Sequence, residues 1–375
     1  MKILLTGGGS GGHFYPLIAI AEKLNQLAQE EKIVSLKLFF MSNDPFDRKL
    51  LFENRISYIE IPAGKKRIYS SIKNFFDMFS TMTGGILGLL SMYFIYPDVV
   101  ISKGGYAAFP AVFAAKLLRI PVIVHESDSS PGRLNVWTSK FAERIAVSWP
   151  EAGTYFPLDK TAVTGQPIRK AILHGDPHKG YEFFALSSDL PVLYVVGGSQ
   201  GAEIINNILL EVLPELVEHF QIVHQTGKNN HEEVVSRAKL ILENNSNSSR
   251  YVPIAYMNTE ATQKIAGIAT FVVSRAGSSI FEIASWGIPS IIIPITNSNG
   301  NHQRKNAYSY ARSGGCIVIE ESNLTPHLFL ADVKNTITDS EKLQSMKEHA
   351  LLFASTNAAE KIAQVALDIA LQHEN

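Results

Sequence analysis

The sequence predicts an α/β protein of two doubly wound, parallel-sheet domains, and three observations carry that expectation. Short β-rich runs alternate with helical patterns along the whole chain. A strand, glycine turn and helix start at residues 3–24 recurs at residues 191–202. At 375 residues the chain exceeds one ordinary α/β domain, and about 100 to 200 residues per domain favours two.

In chain order, the apolar run Ile3-Leu4-Leu5 leads into Thr6-Gly-Gly-Gly-Ser-Gly-Gly-His13, then into Leu17, Ile18, Ile20, Ala21 and Leu24 at helical spacing. A turn this bare of side chains lets backbone N–H groups and the positive end of a helix approach an anion, so a phosphate-bearing ligand is expected. Gly7, Gly9 and Gly12 also fit the dinucleotide-binding spacing, a match that five glycines in six positions make cheap. Further strands are expected at residues 36–41, 58–61, 99–102, 122–125, 144–147 and 161–164. The pattern restarts at Pro191-Val-Leu-Tyr-Val-Val-Gly-Gly-Ser-Gln-Gly-Ala202 and continues with strands at 221–225, 271–274, 290–294 and 316–319. Between the halves, Gly165-Gln-Pro-Ile-Arg169 and the polar residues 174–180 read as a connector, giving domains of 1–165 and 166–356. The terminal segment 357–375, with Ala358, Ile362, Val365, Ala366 and Ile369 at helical spacing, is expected to pack on the first domain. Each domain should bind ligand at the carboxyl edge of its strands, and a cleft between two such domains is a common ligand site.

Composition narrows the function. A net charge of −1 and a pI near 6.8 give no global attraction to nucleic acid. Cys316, the single cysteine, permits neither an internal disulfide nor a cysteine metal cluster, in keeping with a reducing cytoplasm. No secretory signal is readable before the first strand. The most apolar stretch, residues 84–96, falls short of the ~20 residues that cross a bilayer. It does follow Lys65, Lys66, Arg67 and Lys73, and with Phe75, Phe76, Phe79, Met82, Ile86, Leu89 and Leu90 it combines basic charge with an apolar face. That combination suits docking to an anionic membrane surface through residues 65–90.

In the second half, Val272-Val-Ser-Arg275-Ala-Gly277-Ser278-Ser279-Ile280-Phe281-Glu282 is again strand, glycine turn and helix. Ser278 and Ser279 are expected to cap that helix while its first N–H groups face a phosphate. Glu282, one turn in, is suited to accept hydrogen bonds from both hydroxyls of a ribose, a charge-assisted contact of about 1.5–3 kcal/mol. His302 and Gln303 open a helix after a polar loop, a suitable place for contacts to a sugar. Trp137, Trp149, Trp286 and Cys316 are expected in the packing.

These segments together resemble the MurG family of peptidoglycan N-acetylglucosaminyltransferases, over nearly the whole chain. The resemblance rests on Gly7 to Pro16, Pro97 to Tyr106, His125-Glu126, Gly165 to Arg169, Gly197 to Ala202, Ser274 to Glu282, and Asn301 to Ala307 in that order. It implies the GT-B glycosyltransferase architecture, with Rossmann-like domains facing a central cleft and UDP-N-acetylglucosamine held mainly by the second. Carried over by position, Arg169, Ser199, Gln200, Gly201, the backbone of Met257, Gly277, Ser278, Ser279, Ile280, Glu282, Gln303 and Asn306 are implied donor contacts. Ser10, Gly11, Gly12, Gly104, Gly105, Tyr106, Glu126 and Asp128 are implied for the acceptor diphosphate and part of the donor sugar.

The implied acceptor is undecaprenyl-diphospho-muramyl-pentapeptide, the place of work the cytoplasmic face of the cell membrane, and other cell-wall synthesis proteins are potential partners. Three departures stand out: Ser127-Asp128 replaces a Gln-Asn pair, the turn between Gly277 and Glu282 is one residue shorter, and 297–301 lacks an aspartate before His302.

The expected chemistry is inverting transfer to the muramyl 4-hydroxyl, with no cofactor and no metal, because helix N-termini and Arg169 can stabilise the departing UDP. His13, whose residue type titrates near neutrality, is the candidate base, with Asp128 and Glu126 as rivals. Competing readings are a non-hydrolysing UDP-N-acetylglucosamine 2-epimerase, an NAD(P)-dependent oxidoreductase using Gly7, Gly9, Gly12 and Asp44, and an inactive nucleotide-sugar-binding scaffold.

Overall fold

In the computed structural model the described residues are 1–64, 73–198, 200–296 and 298–374, without the side chains of 73–79, 299, 373 and 374. The chain divides into two compact units, Met1–Arg169 with Thr356–Asn375, and Lys170–Ser355.

The first unit is built on seven parallel strands: β1 (Lys2–Thr6), β2 (Lys37–Ser42), β3 (Ile56–Glu60), β4 (Val99–Ser102), β5 (Val122–Glu126), β6 (Arg144–Val147) and β7 (Thr161–Val163). Their order in the sheet is β3-β2-β1-β4-β5-β6-β7. The chain thus winds outward from β1 to β3, then returns to the far side of β1 to place β4. That reversal opens a crevice beyond the carboxyl ends of β1 and β4, the switch point where open α/β sheets bind ligands. Ile3, Leu5, Val99 and Ile101 of these strands pack with Leu17, Ile20 and Leu24 of the helix Gly11–Glu30 and with Ile362, Ala366 and Leu367 of the helix Ala358–Glu374. All are buried, and each large aliphatic side chain so removed from water contributes about 1.5–3 kcal/mol.

The second unit has six parallel strands, β8 (Val192–Val196), β9 (Gln221–Gln225), β10 (Tyr251–Ile254), β11 (Ala269–Ser274), β12 (Ser290–Ile292) and β13 (Cys316–Val318), in the order β10-β9-β8-β11-β12-β13. Its switch point lies between β8 and β11. Both strands are wholly buried towards their carboxyl ends, as expected where helices cover both faces.

Two local expectations change. β10 is not legible in the sequence because Pro253 interrupts its apolar pattern; as an edge strand paired only with β9, it tolerates the missing N–H. Residues 174–180 are not a loose connector: Asp176 caps a helix at Pro177–Phe184 by accepting from the Lys179 N–H. Gly175 and Gly180 press that helix onto Thr259–Ile268, so closely that a Cβ at Gly175 would run into the Gly267 backbone.

Candidate functional site

At the carboxyl end of β1 the chain turns through Gly7 to Ser10 and enters the helix at Gly11. The turn is tight because its neighbours are close: a Cβ at Gly8 would lie 2.5 Å from Ser42 Oγ, and one at Gly9, where φ is +87°, 2.9 Å from the Tyr106 ring. Ser10 stands at the N-cap without capping through its side chain; its hydroxyl instead pairs with His13 Nδ1 at 2.9 Å. The Ser10 side chain therefore does not take up the first N–H groups of the helix.

The second turn, Gly104-Gly105, follows β4 with φ of +78° at both glycines. It abuts the first, since a Cβ at Gly105 would sit 3.0 Å from the Gly8 carbonyl oxygen and 3.6 Å from His13 Nε2. Ser10, Gly11, Gly12, His13, Gly104, Gly105 and Tyr106 are thus gathered at one edge, with Asn43 donating to the Tyr106 hydroxyl at 3.4 Å. Arg169, the last residue of this unit, is buried with its guanidinium 3.9 Å from the centre of the Tyr15 ring.

Glu126 ends β5 and is buried, accepting from Asn135 Nδ2 (2.8 Å), the Gly132 N–H (2.9 Å) and the Asp128 N–H (3.0 Å). Burial and then the neighbouring Asp128 charge raise its pKa above the ordinary carboxylate range, which these three hydrogen bonds only partly offset. His125 is fully buried and held near the Gly165 carbonyl oxygen at 3.1 Å; burial, then the Lys103 charge, depress its pKa and keep it neutral. These two are therefore parts of a buried frame, while Asp128 remains partly exposed beside them.

In the second unit, β8 passes into Gly197 and Gly198, and β11 into Ser274–Ser278, side by side. Gly201 has φ +81° and its Cα faces the Thr226 carbonyl, while Gly227 packs on the Gln200 carbonyl. Ser199 lies outside the described residues. Gln225, at the end of β9, donates to the Gly198 carbonyl oxygen (2.9 Å) and accepts from the Met257 N–H (3.0 Å), clamping the glycine turn to the backbone at Met257. That N–H is thereby taken up within the protein.

Around Gly277 no described atom comes within 4 Å of where a Cβ would stand, so the bare backbone there leaves room for a ligand. Ser278 does not cap the helix Ser279–Ser285 through its side chain. Its backbone is already helical (φ −63°, ψ −17°), which turns the hydroxyl away from the first-turn N–H groups, and Ser279 Oγ pairs with Ser274 Oγ at 3.2 Å. Ile280 is buried, and Glu282 is partly exposed one turn on; after burial itself, the Glu282 charge is the next influence holding the buried Tyr194 phenol well above its ordinary pKa. Asn306 is buried and donates to the Ala276 carbonyl oxygen at 3.1 Å, bracing the turn, and Gln303 Oε1 accepts from the Ile295 N–H at 3.1 Å.

Glycine turns meeting at a sheet switch point, once in each unit, offer main-chain N–H groups of the kind that bind phosphate. Residues 3–147 match the glycosyltransferase family 28 N-terminal domain, and residues 192–365 the glycosyltransferase family 28 C-terminal domain. The UDP-N-acetylglucosamine--N-acetylmuramyl-(pentapeptide) pyrophosphoryl-undecaprenol N-acetylglucosamine transferase of Clostridium perfringens is 35% identical over 349 residues, 92% of this chain and 93% of that one. The chain belongs to glycosyltransferase family 28.

The like-named protein of Treponema denticola is 33% identical over 380 residues, covering 96% of each chain. This family 28 member is a glycosyltransferase of GT-B architecture. Among solved structures, Acinetobacter baumannii MurG superposes with a TM-score of 0.71 at 23% identity, covering 98% of this chain and 99% of that one. The UDP-GlcNAc 2-epimerase of Neisseria meningitidis bound to UDP-GlcNAc reaches 0.70 at 17% identity, over 98% and 100%. The fold is thus shared by transferase and epimerase, and only the sequence relatives separate them.

Among the described residues no helix is long and apolar enough to cross a membrane. Sequence reasoning names most of the glycine edge but assigns no role to Lys103, Ser127, Asn135, Gln166 or Gln225. Lys103 and Gln166 do lie inside the motif segments; what the sequence lacks is the sheet order that brings them together.

Proposed function

We propose that this family 28 enzyme transfers N-acetylglucosamine from UDP-N-acetylglucosamine to the 4-hydroxyl of lipid-linked N-acetylmuramyl-pentapeptide, with inversion to a β-1,4 linkage. The observation that carries this reading is the 35% identity, over more than nine-tenths of both chains, to a transferase of that name. The donor falls to the second unit: the backbone of Gly277–Ile280 with Gln200 and Gly201 takes its diphosphate, Met257 its base, and Glu282 its ribose. The acceptor diphosphate falls to Gly11, Gly12 and the Gly104–Tyr106 turn.

In the reaction the muramyl 4-oxygen forms a bond to the anomeric carbon as the bond from that carbon to the diphosphate oxygen breaks, and UDP carries away the electron pair. Main-chain N–H groups aimed at the diphosphate, with Arg169, favour the growing charge. The hydroxyl proton passes to His13, whose Nδ1 is fixed by Ser10 and whose Nε2 lies beside Gly105.

Incubation with UDP-N-acetylglucosamine, with and without the lipid-linked muramyl acceptor, tests the assignment. UDP released only with acceptor supports it, whereas epimerised sugar nucleotide formed without acceptor overturns it. In the same assay His13→Ala is expected to slow single-turnover transfer by about 10²–10⁴ with UDP affinity within about twofold of wild type; an unchanged rate removes His13 as base.

We also place the enzyme at the membrane surface. The helix Lys73–Ile95 turns Gly84, Gly88 and Met92 inward, Gly84 against the Pro62 carbonyl and Gly88 so that a Cβ there would lie 3.2 Å from Pro110. Met82, Ile86, Leu87, Leu90, Tyr93 and Phe94 are left exposed, Phe94 at 80%. A helix that buries Gly84 and Gly88 and shows large apolar residues to solvent is arranged to meet an apolar phase. Lys65, Lys66 and Arg67 lie outside the described residues, as do the side chains of Lys73, Phe75, Phe76 and Phe79; Leu89 is half-buried. Flotation with anionic vesicles is expected to fall at least about fivefold in Ile86→Glu/Leu90→Glu, while UDP binding holds. Undiminished flotation removes this face as the contact.

A further inference from the structure

Among the described residues of the first unit Lys103 is the most buried cation, with 2% of its surface exposed. It follows β4 directly, its Cβ packed under Gly7 of the first glycine turn, and it begins the second turn. Its ammonium donates to Ser127 Oγ, just past β5, and reaches Gln166 Oε1, past β7, at 3.5 Å. Gln166 Oε1 also accepts from the Ser127 hydroxyl (3.0 Å) and from the Ser148 hydroxyl (2.9 Å), just past β6. One buried ammonium and one amide oxygen therefore tie together the carboxyl ends of four successive strands, β4 to β7. The Trp149 indole N–H closes the belt by donating to the Ser127 carbonyl oxygen at 2.8 Å.

Among the described residues no carboxylate touches this ammonium, which is unusual for a charge so far from water. The compensating charges are Glu126 and Asp128, on the same stretch as Ser127, and both favour the charged lysine. His125, the remaining titratable group on β5 that senses this ammonium, is neutral; β6 and β7 present Ser148 and Gln166, and β1 presents Gly7. Burial still dominates and brings the lysine down to about 8.

We propose that Lys103 is a positioning residue for the acceptor-binding edge, holding the Gly104–Tyr106 turn and the Ser127–Gly132 segment in one arrangement through Ser127 and Gln166. This rests on the assignment of that edge to the acceptor. The lysine touches no substrate; it fixes where Gly104, Gly105 and Tyr106 stand and where Asp128 is carried. Its loss should therefore be felt by the acceptor and not by UDP, which the second unit binds.

The test compares wild type with Lys103→Met and with Ser127→Ala, the second a small change at a partly exposed residue. Four quantities are read: UDP affinity, KM and kcat for the lipid-linked acceptor, and amide hydrogen exchange. Lys103→Met is expected to raise acceptor KM at least tenfold with a smaller change in kcat, and Ser127→Ala about threefold, with UDP affinity within twofold in both. Amides of Gly104–Tyr106 and Ser127–Gly132 should exchange at least tenfold faster in Lys103→Met, those of the second unit at the wild-type rate.

Acceptor KM and exchange at wild-type values in folded Lys103→Met overturn the proposal. If Lys103→Met does not fold, wild-type values of both in Ser127→Ala overturn it. A wild-type chain that transfers nothing to the acceptor refutes the functional assignment instead, and the exchange measurements still decide whether Lys103 orders this edge.

Discussion

Gly201→Ala is expected to lower UDP affinity by at least about a hundredfold and to destabilise the second unit by about 3 kcal/mol or more. Two costs combine at this position. The backbone sits at φ +81°, where a residue with a Cβ costs about 1–2 kcal/mol, and the Cβ would be driven into the carbonyl oxygen of Thr226. A carbonyl at the end of β9 is not a flexible tip that can swing aside, so the turn itself must move. Moving it disturbs the approach of Gly227 to the Gln200 carbonyl and the bond from Gln225 to Gly198, and with them the link to Met257.

The control is Gly198→Ala. That residue is also left-handed, at φ +94°, but no described atom lies within 4 Å of its Cβ position, so only the conformational cost applies. Calorimetric titration with UDP and urea unfolding of both variants check this: Gly198→Ala should lose about tenfold in affinity, the equivalent of ~1.4 kcal/mol, and Gly201→Ala far more. Equal behaviour of the two would show that crowding at Thr226 plays no part.

The contrast between these glycines also marks how far the sequence reaches. The glycine runs after β1, β4, β8 and β11 are visible because each is a local pattern: an apolar run, a gap without side chains, a helical period. Which glycines are bare for conformation, which for packing and which to leave room for a ligand depends on neighbours distant in the chain, such as Thr226 for Gly201 and Tyr106 for Gly9. Lys103 was hidden for the same reason. Its partners, Ser127 and Gln166, are 24 and 63 residues away. Only the strand order β4-β5-β6-β7 brings them to one edge. Ser278 fails as a side-chain cap on a finer scale, since composition names the residue type suited to capping but not the dihedral angles that capping needs.

Breaking the ion pair at the Ser274–Ser278 turn should have the second large effect. Arg275 follows β11, is buried, and donates to the Ile293 carbonyl oxygen at 3.1 Å while its other terminal nitrogen meets Glu321 Oε1 at 2.7 Å. Glu321 Oε2 in turn accepts from the Thr296 N–H (2.8 Å) and hydroxyl (2.6 Å). With 10% and 16% of the two side chains exposed, Glu321→Ala strands a guanidinium largely out of water, a loss of about 3 kcal/mol at neutral pH.

The pH dependence has a definite sign. Partial burial pushes the Glu321 carboxyl upward, but the Thr296 hydrogen bonds and the Arg275 charge outweigh it and hold the folded-state pKa below the ordinary value. Its stabilisation is therefore complete above the unfolded carboxylate pKa of about 4.3 and is lost as the pH falls through the lower, folded-state value. Urea midpoints of wild type and Glu321→Ala should stand well apart at pH 7 and converge under strong acid. A gap that stays constant down to such acidity would mean that packing, not charge, is what Glu321 supplies. Because Arg275 opens the turn that carries Gly277 and Glu282, the same variant should also weaken UDP binding at pH 7, where loss of the anchor leaves the Ser274–Ser278 backbone free to shift.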